Sequence, residues 1–331
     1  MKNLFLHFQE MEEGRNNVPL GLRHLLLAGA KIRFREDVRG WILEQYLSLG
    51  SIYVAKVHYS LVSDETLCIL SNIDALAICR STRHEVFIPA NELITVGNED
   101  ASITEIYVVK KGNNYSYIPG VGLQEIFFIT IPASAIARLS EVYSELKLLT
   151  SLLHIGKTQK LDCITHKSNQ VSKWLEKKLL GQVILPNPSI YYLRRIAVSL
   201  YACVLRCTNH DYSRSLTKEE ETLADEALEI LLQNMNADDP QSLLSRKLGT
   251  SYEYILYTFK NRFKISIMNY IRLAQNIEAY EKLSLSNLSI ATIADLTRVG
   301  LGKSGEFHID LFKIRMEKFF GIPITIIRPN I

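Results

Sequence analysis

A chain of 331 residues, 47% apolar and 22% charged, carries enough hydrophobic material for two or three folded cores, and its composition excludes a disordered, collagenous or coiled-coil protein. The net charge of +3 is unevenly spread: from residue 241 onward 13 Lys and Arg face 7 Asp and Glu, which leaves 25 against 28 for residues 1–240. A basic end on a slightly acidic body suits a phosphate-bearing partner. No apolar run approaches the ~20 residues of a membrane span. Lys2 is followed by a short Leu-Phe-Leu and then acidic residues, which is not a signal peptide. The five cysteines, at 68, 79, 163, 203 and 207, form no CxxC pair, so the chain is expected in a reducing cytoplasm and off the membrane.

The first half reads as strands. Ser51–Tyr59, Leu67–Leu70, Ala75–Cys79, Glu85–Ile88, Leu93–Val96, Glu105–Val109 and Ile126–Ile131 are short, rich in β-branched and aromatic residues, and broken by Asp, Asn, Gly or Pro. Spacing near ten residues predicts one antiparallel barrel or sandwich over residues 1–150, with a helix starting at Pro132. Tyr53, Tyr59, Tyr107, Tyr115, Tyr117 and Phe127, with the glycine-rich Gly112–Gly122 stretch, are cues for a pocket; core packing and a plain turn are the favoured reading of the same residues. The sequence holds no His-x-His, and His58 and His84 stand alone, so neither a metal cupin nor an enzyme is expected, and no cofactor. Cys203 and Cys207 lie one helical turn apart; two buried thiols are favoured over a metal or redox pair.

Residues 151–238 form a helical linker or dimerisation segment. Ile190, Leu193, Ile196, Ala197, Leu200, Tyr201 and Val204 follow helical spacing. Thr217 and Glu220 make a capping box for a helix that carries Ala224, Ala227, Leu228 and Leu231 inward. The remaining residues, 239–331, hold two helix-turn-helix units joined by one long helix. Asp239-Pro240 starts the first, Leu243, Leu244 and Leu248 recur at helical spacing, Gly249-Thr250 turns the chain, and Ser251 caps a second helix with Ile255, Phe259 and Phe263 inward. The connecting helix buries Ile267, Tyr270, Ile271, Ile277 and Leu283. The second unit opens at Ile290, Ile293 and Ala294 and closes at Phe312, Met316, Phe319 and Phe320, with Gly321 as its stop.

Leu244-Ser-Arg-Lys-Leu-Gly249, Ser251, Phe259-Lys-Asn-Arg-Phe263, Tyr270-Ile-Arg272, Ala279, Leu283, Ile290-Ala-Thr-Ile-Ala294, Phe312, Phe320-Gly321 and Pro323 together resemble the DNA-binding domain of the AraC/XylS transcription regulators. Tyr192-Leu-Arg-Arg195, Leu216-Thr217-x-x-Glu220 and Ala227-x-x-Ile230-Leu231 are similar to the branch with pyochelin-type siderophore-responsive regulators and Bacteroidota relatives. The resemblance implies an α+β chain: a cupin-like β domain that receives a small-molecule effector, then an all-α half whose two recognition helices, about 34 Å apart, read successive major grooves of double-stranded DNA. It implies RNA polymerase as a partner if the protein is an activator, and leaves a homodimer open. Carried over by position, Tyr252, Glu253, Leu256 and Tyr257 face base edges, with Lys260, Asn261 and Arg262 nearer the backbone on a solvent-facing stripe. His308, Lys313, Arg315 and Lys318 belong to the second recognition helix, and Arg298 and Lys303 to the loop before it. Tyrosines and a leucine are unusual base readers, and a helix that reads little and mainly positions is an equal reading.

Three departures matter. Lys264 stands where the family has glycine, and Gln275 where it has arginine. Thr297–Phe307 is about seven residues longer than the family's turn, which falls at Val299-Gly300-Leu301 or at Ser304-Gly305-Glu306 and leaves the second recognition helix at about 308–320. Gly302-Lys303-Ser304 is not a phosphate loop, because the Walker pattern needs glycine at Thr297. These departures keep a second function class open: a ligand- or protein-binding module whose helix-turn-helix domain has drifted and binds DNA with little sequence preference.

Overall fold

A computed structural model describes residues 2–5, 18–62, 67–81, 88–89, 103–112, 114–117, 122–150, 164–167, 169–181, 189–208, 216–302 and 306–328. The chain forms two compact units, Met1–Ser168 and Asn169–Ile331.

The first unit contains a seven-stranded antiparallel sheet. Its strands are β2 (Lys31–Asp37), β3 (Gly40–Ser48), β4 (Tyr53–Leu61), β6 (Ala75–Ser81), β8 (Ile103–Val109), β10 (Gly122–Pro132) and β11 (Ile164–Lys167), in the order β11-β8-β6-β10-β4-β3-β2. A smaller sheet has the order β1 (Lys2–Phe5), β5 (Leu67–Leu70), β9 (Asn114–Tyr117), β7 (Ile88–Pro89), with β1 and β5 parallel. The expected strands at 51–59, 67–70, 75–79, 105–109 and 126–131 are present within a residue or a few. The expected strand Leu93–Val96 and most of Glu85–Ile88 lie outside the described residues.

Strands β1, β2, β3, β9 and β11 escaped the pattern reading. In β3, Ile42 to Leu47 are all buried, so both faces are covered and no polar alternation survives to mark a strand. One face joins Ile42, Tyr46, Val57, Tyr59, Ile126 and Phe128. The other packs Ile32 and Leu43 against Val18, Leu22 and Leu25, residues in or beside the short 3-10 turn Leu20–Leu25. Gly40, at the β2–β3 turn, has φ +127, and a Cβ there would sit 2.0 Å from the Ser60 carbonyl oxygen, so only glycine fits.

The polar residues buried in this sheet are held by partners. Glu44 is fully buried between Arg35 (3.0 Å), Arg33 (3.6 Å) and the Tyr46 hydroxyl (3.0 Å); burial pushes its carboxyl up, and the arginines pull against that. On the opposite face Glu125 takes Lys56 at 2.9 Å and His58 at 3.1 Å. Burial alone would raise this carboxyl, but those two partners outweigh it and bring it down to about 2. Of the aromatic residues read as a pocket cue, two are separated by the strand register, and the side chains of Tyr107, Tyr115 and Tyr117 lie outside what is described. Tyr59 pairs with Gln124 across β4 and β10 and Phe127 with Lys56, which places Tyr59 and Phe127 on opposite faces. Tyr59 is core and donates its hydroxyl proton to Gln124 at 2.7 Å. Helix α1 (Ala133–Val142) follows directly from Pro132, the last residue of β10, close to the expected start.

The second unit is helical: α2 (Gln170–Leu180), α3 (Ser189–Thr208), α4 (Lys218–Gln233), α5 (Pro240–Leu248), α6 (Tyr252–Phe263), α7 (Ile267–Leu285), α8 (Ile290–Thr297), α9 (Ile309–Phe320) and α10 (Ile324–Ile327). Side-chain caps start most of them. Asn169, Thr217, Asp239, Ser251, Ser266 and Ser289 each accept a backbone N–H of the following first turn, and Glu220 returns the bond to Thr217 as a capping box. Helices α2 to α4 share this compact unit with the helix-turn-helix pair.

Candidate nucleic-acid interface

The two helix-turn-helix units repeat one packing scheme. In the first, Ile255, Phe259 and Phe263 of α6 are fully buried; in the second, Phe312, Met316 and Phe320 of α9 take the same three places. Both helices end on a left-handed residue, Lys264 (φ 55) and Gly321 (φ 71). In this register Arg262 corresponds to Phe319, Tyr254 to Leu311, Tyr257 to Ile314 and Glu253 to Asp310. The core continues along α7, where Tyr270 and Tyr280 are buried; Phe259 lies 4.8 Å from Phe263 and Tyr280 4.6 Å from Phe320, ring centre to ring centre.

The turns differ. Gly249 (φ 64) and the cap Ser251 complete the first. In the second, α8 ends on Arg298 in the left-handed region (φ 59), Val299 is buried, and Gly300 (φ 83) lies against α9, where a Cβ would come within 2.6 Å of the Phe312 Cβ. Of the two turn placements the sequence allowed, Val299-Gly300 lies here between α8 and α9, and Ser304-Gly305 of the other lies outside the described residues. The extra residues leave this turn and return to it. The Gly300 carbonyl accepts the His308 N–H at 3.0 Å, the Glu306 carbonyl accepts the Gly302 N–H at 2.8 Å, and Leu301 bridges Phe307 in antiparallel fashion. Phe307 then stacks edge-on against Phe312.

Helices outside the repeat back both units at one corresponding position. Arg262 reaches α4 and pairs with Glu221 at 2.8 Å and Asp225 at 3.4 Å. At the matching place in α9, Phe319 receives the guanidinium of Arg195 from α3, 4.1 Å from its ring centre. Tyr254 donates to Glu220 of α4 at 3.3 Å. Buried Gln275 donates to the Met235 carbonyl after α4 at 3.1 Å, so a neutral amide fills the position where arginine was expected. Glu281 of α7 accepts from Tyr192 of α3 at 2.5 Å and from Lys178 of α2 at 2.7 Å; burial, with the carboxylate beside it, drives the Tyr192 hydroxyl far above its ordinary range.

The sequence-derived contact residues are placed as follows. Glu253, Tyr257 and Lys260 are exposed on α6; Tyr252, Leu256 and Asn261 are half-buried. Arg262 is not on a solvent-facing stripe as expected, because the α4 carboxylates hold it. Arg298 pairs with Asp238, in the loop between α4 and α5. Lys303 lies outside the described residues. His308 and Lys318 are exposed and Lys313 is half-buried. Arg315 is half-buried, with Nη1 3.5 Å from the Arg298 carbonyl; burial, then the nearby Arg272, lowers its affinity for its proton. The sequence reading passed over the residues that dominate the outward surface of α9, Leu311 and Ile314, 46% and 59% exposed. The spacing of Phe312, Met316 and Phe320 was the available signal, since it leaves 311 and 314 off the buried stripe. Among the described residues no group of three or more His, Cys, Asp or Glu could hold a metal ion, and no helix is long and apolar enough to cross a membrane.

No protein-family model matches the sequence, and no curated protein matches it. Solved structures are similar in part. The AraC-like transcriptional activator CuxR is 14% identical over 76% of this chain and 87% of that one, with a TM-score of 0.32. ToxT from Vibrio cholerae is 12% identical over 82% and 96%, with a TM-score of 0.30. Unsaturated fatty acid bound ToxT from Vibrio cholerae strain SCE256 is 11% identical over 87% and 95%, with a TM-score of 0.32. At scores this low the functional reading rests on the chain's own residues.

Proposed function

We propose that this chain is a sequence-specific, double-stranded DNA-binding transcription regulator of the AraC type. In this reading residues 239–331 engage DNA, residues 151–238 supply the helices that fasten to them, and residues 1–150 hold a small-molecule effector. One observation carries the proposal. Two helix-turn-helix units with matching core positions lie in one compact unit and are joined by α7, and each leaves one face of its second helix in solvent. Exposed Arg246, Lys247, Lys260, Arg272 and Lys318 add the charge that a phosphate backbone requires.

Titrating salt against binding to the duplex upstream of the gene and to a random duplex tests this. A regulator shows a steep log–log slope and prefers the upstream duplex. Lys260→Ala lowers the slope by about one. Arg262→Ala leaves it unchanged, because its charge is already neutralised by Glu221 and Asp225. The capture of Arg262 and the apolar outward face of α9 favour a second reading, a drifted module with little DNA preference. That reading predicts a shallow slope and equal binding to both duplexes.

A further inference from the structure

Building on the DNA-binding reading, we infer that the outward faces of α6 and α9 read thymine 5-methyl groups, so that the operator is recognised chiefly by apolar contact at short runs of thymine. The major groove offers Arg, Lys, Asn and Gln partners on guanine and adenine. Among the described residues no Arg, Asn or Gln stands exposed on either helix, and the exposed lysines, Lys260 and Lys318, lie in the last turn of each. On α6, Asn261 is half-buried and Arg262 is held by α4; on α9, Arg315 turns toward the Arg298 carbonyl. What faces outward is Leu311 and Ile314 on α9, and on α6 Tyr257, at the place matching Ile314, with Leu256 half-buried beside it; Tyr254, at the place matching Leu311, is partly exposed but donates its hydroxyl proton to Glu220 of α4.

An apolar side chain in the major groove has one discriminating partner, the thymine methyl. Leu311 and Ile314 are three residues apart, so their Cβ atoms lie about 5–6 Å from each other. That separation spans one to two base steps at about 3.4 Å each, which matches adjacent thymines. Charge assigns the face to DNA rather than to a protein. Exposed Lys318 continues the Leu311–Ile314 stripe one turn further on, and exposed Lys260 lies one turn beyond Tyr257. An apolar centre ending in a cation fits bases flanked by phosphates. Glu253 and Asp310, exposed in the first turn of each helix, add an acceptor for cytosine N4 and disfavour an acceptor-rich guanine edge at that end.

The test starts from duplexes recovered by the full-length protein from a random pool. The best of them is rebuilt with every thymine replaced by deoxyuridine, which removes the methyl and leaves base pairing intact. The expected result is weaker binding by about fourfold for each methyl withdrawn from an apolar contact. Leu311→Gln and Ile314→Gln should bind the thymine duplex less well and the deoxyuridine duplex as the unsubstituted protein does. Both residues are exposed, and the deoxyuridine arm involves no change to the protein. Equal binding of thymine and deoxyuridine duplexes with sequence preference intact overturns this inference and leaves the regulator standing. Recovery of no preferred duplex, with a shallow salt slope, overturns the regulator reading itself. An unchanged DNA affinity in both Gln variants, with loss of self-association instead, would assign the face to a second copy of the chain.

Discussion

The two helix-turn-helix units bury the same three positions and solve two other problems differently. The first closes its turn with Gly249 in open space, where an added Cβ would meet nothing within 4 Å. The second presses Gly300 against Phe312 and carries a pinched excursion from the same point. The first is braced by ion pairs from Arg262 to α4, the second by Arg195 of α3 over the face of Phe319. In the first unit the cation sits on α6 and is used up; in the second it sits on the bracing helix α3, and α9 contributes a ring. A cation placed on a surface by its position in the sequence is therefore no guide to what it contacts until its carboxylate partners are known.

The largest expected effect separates the two turns. Gly249→Ala meets only backbone strain, because φ 64 disfavours a side chain, and should cost about 1 kcal/mol. Gly300→Ala meets the same strain and a collision with Phe312, and should cost about 3 kcal/mol or more. Urea unfolding followed by Trp174 fluorescence in a Trp41→Phe background measures both, since Trp174 packs against Tyr270 at 5.8 Å within the second unit. Equal midpoints for the two variants would mean that α9 does not lie against Gly300.

The braces should separate next, each by about 1 kcal/mol. Arg262→Ala removes two partly exposed ion pairs, so its cost should shrink as salt is raised from low to molar concentration. Arg195→Ala removes a buried guanidinium over a ring, and because burial limits screening its cost should respond to salt less steeply. A parallel salt dependence in the two variants would erase the distinction between an ionic and an aromatic brace.

How much of this was legible in the sequence follows from where the signals lie. Helix starts were readable because a capping side chain is local: Asp239, Ser251 and Thr217 each act within three residues. The core of the second unit was readable from helical spacing alone. The role of Arg262 was not, because Glu221 and Asp225 lie some forty positions upstream and nothing in a linear pattern links them. The outward face of α9 was legible, since the spacing of Phe312, Met316 and Phe320 leaves Leu311 and Ile314 off the buried stripe, but it was not drawn from it. Strand β3 was hidden because a strand covered on both faces loses its alternation, and β2 because its charged residues serve the buried Glu44.

Lys264 offers a smaller test in the stabilising direction. It ends α6 in the left-handed conformation that Gly321 adopts at the end of α9. Lys264→Gly should remove that strain and raise stability by up to about 1 kcal/mol, with the gain read as a higher urea midpoint. A loss instead would show that the lysine side chain contributes more than its backbone costs.

The smallest expected effect concerns the excursion at Leu301–Phe307. Its base is already closed, because the Gly300 carbonyl accepts the His308 N–H at 3.0 Å, so the chain is in register for α9 before and after the loop. Deleting 301–307 and joining Gly300 to His308 should therefore lower stability by less than about 1 kcal/mol, most of it from the lost edge contact of Phe307 with Phe312. The salt slope of DNA binding should fall by about one, the share of Lys303. An unchanged slope would place the loop outside the interface. A collapse in stability would mean that the loop, rather than Val299 and Gly300, holds α8 against α9, and the likeness between the two turns would then end at Arg298.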